Sequence, residues 1–151
     1  MSDYDDVREL TELSYRYAFA IDDRDWAALR QVFTDEVEID FGLGEENVFR
    51  TGDAFVAGSR AALERLDATQ HIFSNHLFEV DGDRATGRFY MYAQHLKSGA
   101  EGGALHTLGG QYHDEYVRAD DGWKVRRRVF RAIWGWGNNG FNPGFRSDAP
   151  V

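Results

Sequence analysis

Cysteine is absent from the 151-residue chain. That removes disulfides, thiolate metal ligands and thiol nucleophiles together, and it fits a reducing compartment. Basic residues are few: 17 Lys and Arg face 26 Asp and Glu, for a formal charge of −9. Phosphate backbones and anionic membrane surfaces are bound by clustered cations, so neither nucleic acid nor a membrane is expected as a partner. No apolar run approaches the ~18 residues of a membrane span. The opening Met1-Ser2-Asp3-Tyr4-Asp5-Asp6 is acidic where a secretion signal is basic, so a cytoplasmic location is expected. There is no GxSxG, P-loop or dinucleotide fingerprint, and Gly99-Ala100-Glu101-Gly102-Gly103 does not lead from a strand into a helix. What is present is 42% hydrophobic and 15% aromatic residues, enough to fill one core or enclose one pocket. A length in the ~100–200 residue range of one domain predicts a single domain over residues 1–151, with an aromatic and glycine-rich tail from 135 to 151.

Val7, Leu10, Leu13, Tyr17 and Ile21 recur at helical spacing, and Asp22-Asp23-Arg24-Asp25 ends that helix. Asp23 or Asp25 can cap a second helix carrying Trp26, Leu29, Val32 and Phe33. Val37, Ile39 and Phe41 alternate with polar residues as a strand does, and a third helix is expected from Thr51 through Leu66. Beyond Asp67 the pattern is strand-like: Gln70 to Val80, Arg84 to Leu96, Leu105 to Arg118 and Trp123 to Trp134. Asp81-Gly82 and Asp120-Asp121-Gly122 supply the tight turns. Helices first and an antiparallel meander after them predict an α+β fold, with helices packed on one face of a curved sheet.

Strand parity sorts the polar residues. His71, Phe73, Asn75 and Leu77 share one face of their strand, and Ile72, Ser74, His76 and Phe78 share the other. Phe89, Met91, Ala93 and His95 share a face, as do His106, Leu108, Gly110, Tyr112 and Asp114. In the last strand Arg128, Phe130 and Trp134 stand together. Aromatic faces with one or two polar groups suit a small-molecule pocket, and they equally suit a core with a few satisfied polar residues. Asp22, at the C-terminal end of the first helix, is either a solvated acid, a cap, or an acid aimed into a pocket to hold a histidine. By itself His71 reads first as a surface or satisfied core histidine. His71 and His76 differ in parity and should not share a metal, and no spaced ligand motif joins His95, His106 and an acid. No metal or cofactor is expected. The run Arg126-Arg127-Arg128 splits across both faces, so one arginine should point inward.

Three segments resemble a known family. They are Tyr15-Arg16-Tyr17-Ala18-Phe19-Ala20-Ile21-Asp22 with Trp26, Leu29 and Phe33-Thr34-Asp35; Thr69-Gln70-His71-Ile72-Phe73-Ser74-Asn75 with Val80-Asp81-Gly82-Asp83; and Gly110-Gln111-Tyr112-His113-Asp114-Glu115-Tyr116 with Asp121-Gly122-Trp123-Lys124-Val125. Together they resemble SnoaL-like proteins of the nuclear-transport-factor-2-like superfamily, over roughly Val7 to Ile133. The resemblance implies a cone-shaped barrel in which N-terminal helices pack on a strongly curved, mostly antiparallel sheet around a pocket. It is strongest to a lyase branch containing scytalone dehydratase, hexachlorocyclohexane dehydrochlorinase and bile-acid 7α-dehydratase. Those enzymes use an Asp–His dyad, and Asp22 and His71 hold the matching positions. Tyr17 matches a catalytic tyrosine of the bile-acid enzyme, Asn75 an asparagine of the dehydrochlorinase, and Arg128 lies close to an active-site arginine of that enzyme. His95 corresponds by face to a second pocket histidine of scytalone dehydratase.

The resemblance therefore implies a cofactor-independent, dehydratase-like lyase acting on a small hydrophobic cyclic, polyketide-like or steroid-like substrate. His71 would be the base, Asp22 its support and Tyr17 a third catalytic group. Asn75, His95, Arg128, Tyr112, Phe73, Phe89, Met91, Leu108, Phe130, Trp134 and Trp26 would bind substrate. The same cone also hosts isomerases, polyketide cyclases and non-catalytic ligand-binding or small-subunit modules. Ile72, Phe78, Tyr90, Tyr92, Val129 and Ile133 should form an apolar outer face, which predicts a homo-oligomer, a trimer before a dimer. Trp134, Trp136, Phe141 and Phe145 should fold the tail over the cone mouth or a neighbouring subunit.

Overall fold

The computed structural model describes residues 3–141. Helix α1 (Asp3–Asp22) leads to α2 (Trp26–Gln31), β1 (Phe33–Asp40), β2 (Phe49–Thr51), α3 (Gly52–Leu63), β3 (Ala68–Asp81), β4 (Arg84–Leu96), β5 (Leu105–Ala119) and β6 (Gly122–Gly137). The strands form one sheet in the order β2-β1-β6-β5-β4-β3. Every neighbouring pair is antiparallel except β1 with β6, which run parallel. The sheet curls around the helices without closing, so it is a cone with two free edges rather than a sealed barrel.

The amphipathic period of α1 sets the packing. Leu10, Leu13, Tyr17 and Ile21 are buried against the sheet, while Val7 and Phe19 face outward. Asp6 and Ser14 are buried on the same helix and each has a partner. Asp6 accepts a 3.0 Å bond from Trp123 Nε1 and pairs with Arg118, and Ser14 Oγ lies 2.8 Å from His76 Nε2. Asp25 caps α2 by accepting from Ala28 N, and Thr51 caps α3 by accepting from Ala54 N. Phe33, expected in the second helix, instead begins β1, and the short β2 was not foreseen at all. Three residues carry too little periodicity to announce a strand.

Bulges decide which side chains enter the cone. On β3 the register shifts between Ser74 and Leu77, and Asn75 adopts a left-handed backbone (φ 59°). One extra residue reverses parity beyond it. His76 and Phe78 turn inward, against Phe89 and Tyr116 respectively, and Asn75 and Leu77 turn out. On β6 two further shifts, opposite Glu115/Tyr116 and Gly109/Gly110, reset the pattern at Arg126 and Ile133. Trp134 consequently lies on the outer face beside Tyr92, its indole across Gly109, where a Cβ would meet it at 2.2 Å.

Residues 135–137, expected to begin the tail, continue β6. After them Asn138 donates to the carbonyls of Glu101 and Gly103 at 2.8 Å each, and its backbone N–H bonds Leu105 O. Phe141 is then buried in the core, and Phe145 lies outside the described residues. No helix among the described residues is long and apolar enough to cross a membrane.

Candidate active site

A carboxylate at the last turn of a helix is disfavoured by the carbonyl dipoles it faces. At the end of α1, Asp22 offsets this with three donors from β3. Thr69 Oγ1 donates to Oδ1 at 2.9 Å, the His71 backbone N–H donates to Oδ2 at 2.7 Å, and His71 Nδ1 lies 2.7 Å from Oδ1. Thr69 and His71 are two apart on a strand, so both face the helix. Arg24, in a left-handed backbone conformation just past α1 (φ 60°), sends Nη1 to Thr69 Oγ1 and Ile21 O, at 2.7 Å each. The threonine hydroxyl thus accepts from Arg24 and donates to Asp22. The His71 side chain is 8% exposed and that of Asp22 19%. With Nδ1–H given to Asp22, the ring presents the Nε2 lone pair as its free basic atom.

His71 forms part of the wall of a cavity of about 210 Å³. The sheet contributes Met91, Ala93, His95, Leu108 and Tyr112, and α1 contributes Tyr17 and Ile21. The opposite wall is α3, through Phe55, Gly58, Ser59, Ala62 and Leu63, together with Phe41, Leu43 and Phe49 around the β1–β2 connection. A Cβ on Gly58 would fall 2.7 Å from the Phe49 ring, so the bare glycine lets Phe49 seat there. Exposed Leu43 and Arg65 mark where the cavity meets solvent. A shallower groove of about 400 Å³ crosses the outer sheet face past Leu77, Arg88 and Arg127, away from the Asp22–His71 pair.

Beneath the cavity lies a buried charge pair. Arg128 Nε and Nη2 donate to the two oxygens of Asp114 at 2.9 and 2.6 Å, and Tyr116 OH donates to Asp114 Oδ2 at 2.8 Å. The Arg128 guanidinium is clamped between the rings of Tyr17 (4.4 Å) and Tyr112 (4.2 Å). Burial works against the charge on Arg128, but Asp114 outweighs it and holds the guanidinium protonated. Burial also raises the Tyr17 and Tyr112 hydroxyls above the usual phenol range, so both remain neutral donors and acceptors.

The His95 ring stands 5.7 Å from that of His71 and 5.8 Å from that of His106. Burial, with smaller contributions from those two histidines, pushes His95 down to about 3. It is therefore neutral at physiological pH and can donate or accept a hydrogen bond without supplying charge. Burial lowers His106 as well, and neither of its ring nitrogens has a hydrogen-bond partner among the described residues. No group of three His, Cys, Asp or Glu side chains among those residues could hold a metal ion.

Of the residues expected at the site, Tyr17, His71, Met91, His95, Leu108 and Tyr112 line the cavity, and Asp22 holds His71. Phe73, Phe89, Phe130 and Arg128 do not line it. They form the packed layer beneath, with Phe73 against Tyr17 and Phe89, and Phe130 against Tyr112. Asn75 and Trp134 are outside it, each turned out by a bulge. Trp26 is also outside, half-buried beside α3, donating to Glu64 at 3.1 Å. The α3 wall and Thr69 were not anticipated. The small residues Gly58, Ser59 and Ala62 on one side of α3 were the available signal.

Residues 2–129 match the SnoaL-like domain. Among solved structures, the Kfla4162 protein of Kribbella flavida superposes with a TM-score of 0.83 at 28% identity, covering 89% of this chain and 95% of that one. A protein named as a scytalone dehydratase candidate, from Novosphingobium aromaticivorans, gives 0.78 at 22% identity over 87% and 86%. The hexachlorocyclohexane dehydrochlorinase LinA-type3 of Novosphingobium barchaimii gives 0.74 at 19% over 88% and 90%. The last two show a shared α+β cone. With the family match running through both halves of the Asp22–His71 contact and through the strands that wall the cavity, the chain belongs to the SnoaL-like family.

Proposed function

We propose that the cavity is the active site of a cofactor-independent lyase of the dehydratase type. The observation that carries this reading is the 2.7 Å contact between Asp22 Oδ1 and His71 Nδ1 at the wall of an apolar cavity. A histidine whose Nδ1–H is held by a carboxylate has its tautomer fixed and its imidazolium stabilised as it forms. In the reaction, Nε2 of His71 takes a proton from the carbon beside a carbonyl. The C–H electron pair becomes the new double bond as the β-carbon–oxygen bond breaks. The departing hydroxide takes the proton back from the His71 imidazolium and leaves as water. The step is redox-neutral and balances without any co-reactant.

The neighbours take supporting roles. Tyr17 and Tyr112 line the cavity as neutral phenols, so they serve as hydrogen-bond donors to the carbonyl oxygen that gains charge. His95, neutral throughout, orients the substrate rather than delivering a proton. A volume of about 210 Å³ falls below the ~300–1,000 Å³ of pockets for drug-sized ligands, which favours a substrate of one or two rings over a four-ring steroid. The names of two structural neighbours, a dehydratase candidate and a dehydrochlorinase, agree with elimination. The test is to incubate purified protein, without additives, with a panel of small cyclic β-hydroxy carbonyl compounds and follow products by mass spectrometry. Loss of water supports the proposal. Products of unchanged mass would identify an isomerase, and an unconsumed panel would count against the lyase reading.

A further inference from the structure

Among the described residues that line the cavity, Arg65 is the one side chain with a formal charge. It follows α3 by two residues and stands, exposed, at the cavity mouth. The surroundings make its position unusual. The chain carries nine more acidic than basic charges, and many of its arginines are paired with acids: Arg30 with Asp35 and Asp53, Arg50 with Glu38 and Glu45, Arg127 with Glu38 and Glu115. Arg65 is bonded instead to two backbone carbonyls. Nε donates to Ala62 O at 3.1 Å, and Nη2 donates to Phe141 O at 2.9 Å.

Those two bonds fix the guanidinium without neutralising it. A carbonyl is a dipole and not a counter-charge, so the cation stays at the cavity wall, and Nη1 carries N–H groups not committed to either carbonyl. Phe141, whose carbonyl accepts one of those bonds, is buried in the core, so the bond ties the guanidinium to packed structure. A neutral donor could also bond those carbonyls, though less strongly, so the bonds alone do not require the charge. A charge at the rim of an apolar cavity in an acidic protein has a different consequence: it selects an anion that the remaining surface repels.

We propose that Arg65 is a specificity-determining residue, and that the ligand of this cavity is a small ring compound bearing a carboxylate. The ring fills the apolar space beside Met91, Leu108 and Phe55, and the carboxylate stays at the mouth on the Arg65 guanidinium. A planar fork is the geometry that binds a carboxylate through two parallel hydrogen bonds. The inference takes the cavity to be the substrate site, as in the proposed function, but it is a statement about binding and needs no turnover.

The test is calorimetric binding of trans-cinnamate and of its neutral amide, cinnamamide, to the full chain. Wild-type protein is expected to bind cinnamate at least tenfold more tightly than cinnamamide, the scale of one charge-assisted pair. Arg65→Gln places its amide where Nε stands, which keeps a donor for Ala62 O and removes the charge. It should erase the preference by weakening cinnamate about tenfold while leaving cinnamamide unchanged, and Arg65→Lys, which keeps the charge but not the fork, should restore only part of it. A His71→Gln variant should retain the preference, which separates this proposal from the catalytic one. The proposal is overturned by equal binding of the two probes to wild type, by no cinnamate binding at millimolar concentration, or by equal weakening of both in Arg65→Gln. The last result would assign Arg65 to holding the tail.

Discussion

Replacing Asp114 with asparagine tests how the cavity floor is held. The side chain keeps its size, so the change removes charge rather than volume. Asp114 and Arg128 are almost completely buried, and their bonds of 2.9 and 2.6 Å satisfy two of the guanidinium nitrogens. Without the carboxylate, Arg128 remains a buried cation between the rings of Tyr17 and Tyr112. Breaking one side of such a pair costs about 3–5 kcal/mol, and because Asn retains one acceptor the expected loss is about 3 kcal/mol. With a urea dependence of about 2 kcal/mol per molar, the unfolding midpoint should fall by about 1.5 M. Replacing both partners, Asp114→Leu with Arg128→Met, removes the charge altogether and should recover most of the loss. The assay is equilibrium urea unfolding followed by tryptophan fluorescence, with the slope checked for two-state behaviour. A single variant within about 1 kcal/mol of wild type, or a double variant worse than the single one, would show that Asp114 does not hold a buried charge in place.

Acid should destabilise the fold earlier than its carboxylates alone would. Burial pushes His95 down to about 3 in the folded state, so below its ordinary value near 6.5 the unfolded chain binds the proton first; stability falls with pH across that window, by about 2 kcal/mol from this residue at about pH 5. Unfolding curves that match at neutral pH and pH 5, or an acid slope unchanged in His95→Gln, would count against it. At Asn75, whose φ is 59°, Asn75→Ala should cost about 1 kcal/mol and Asn75→Gly close to nothing, read as shifts in thermal midpoint; equal costs would show that the bulge is held by the asparagine side chain. We propose further that the outer sheet face, with Ile72, Leu77, Tyr90, Ile133 and Trp134 exposed, is covered by other copies of the chain in a homotrimer. Light scattering should then give three times the 17.2 kDa chain mass, and a monomer at micromolar concentration would contradict it.

The course of the chain was legible where periodicity is long. The stripe from Leu10 to Ile21 announced α1, and Arg84 to Leu96 marked β4 with its full bounds. The inward set Phe89, Met91, Ala93 and His95 followed from alternation alone because β4 has no bulge toward β5. Asn75 and Trp134 were misplaced for the complementary reason. A bulge inserts one residue, and neither Ser74-Asn75-His76 nor Arg131-Ala132-Ile133 carries the glycine that advertises one. Arg128 was expected inward and is inward, but Asp114 holds it below the cavity, a pairing across strands that spacing along the chain does not encode. The Asp22–His71 contact was legible through family resemblance and ambiguous by spacing, because 49 residues separate the partners and only the fold joins them. Thr69 and Arg24, which fix that carboxylate, are ordinary polar residues until their neighbours are known.

We propose that His71, held by Asp22, removes the proton that starts the elimination. The decisive experiment compares single-turnover rates of water loss from one panel substrate with wild type, His71→Gln and Asp22→Asn, each shown by calorimetry to bind that compound. Both variants should bind within about threefold of wild type, His71→Gln should lose ~10²–10⁴-fold in rate, and Asp22→Asn should lose a large part of that factor. Water loss at an undiminished rate in His71→Gln, with binding intact, would contradict it.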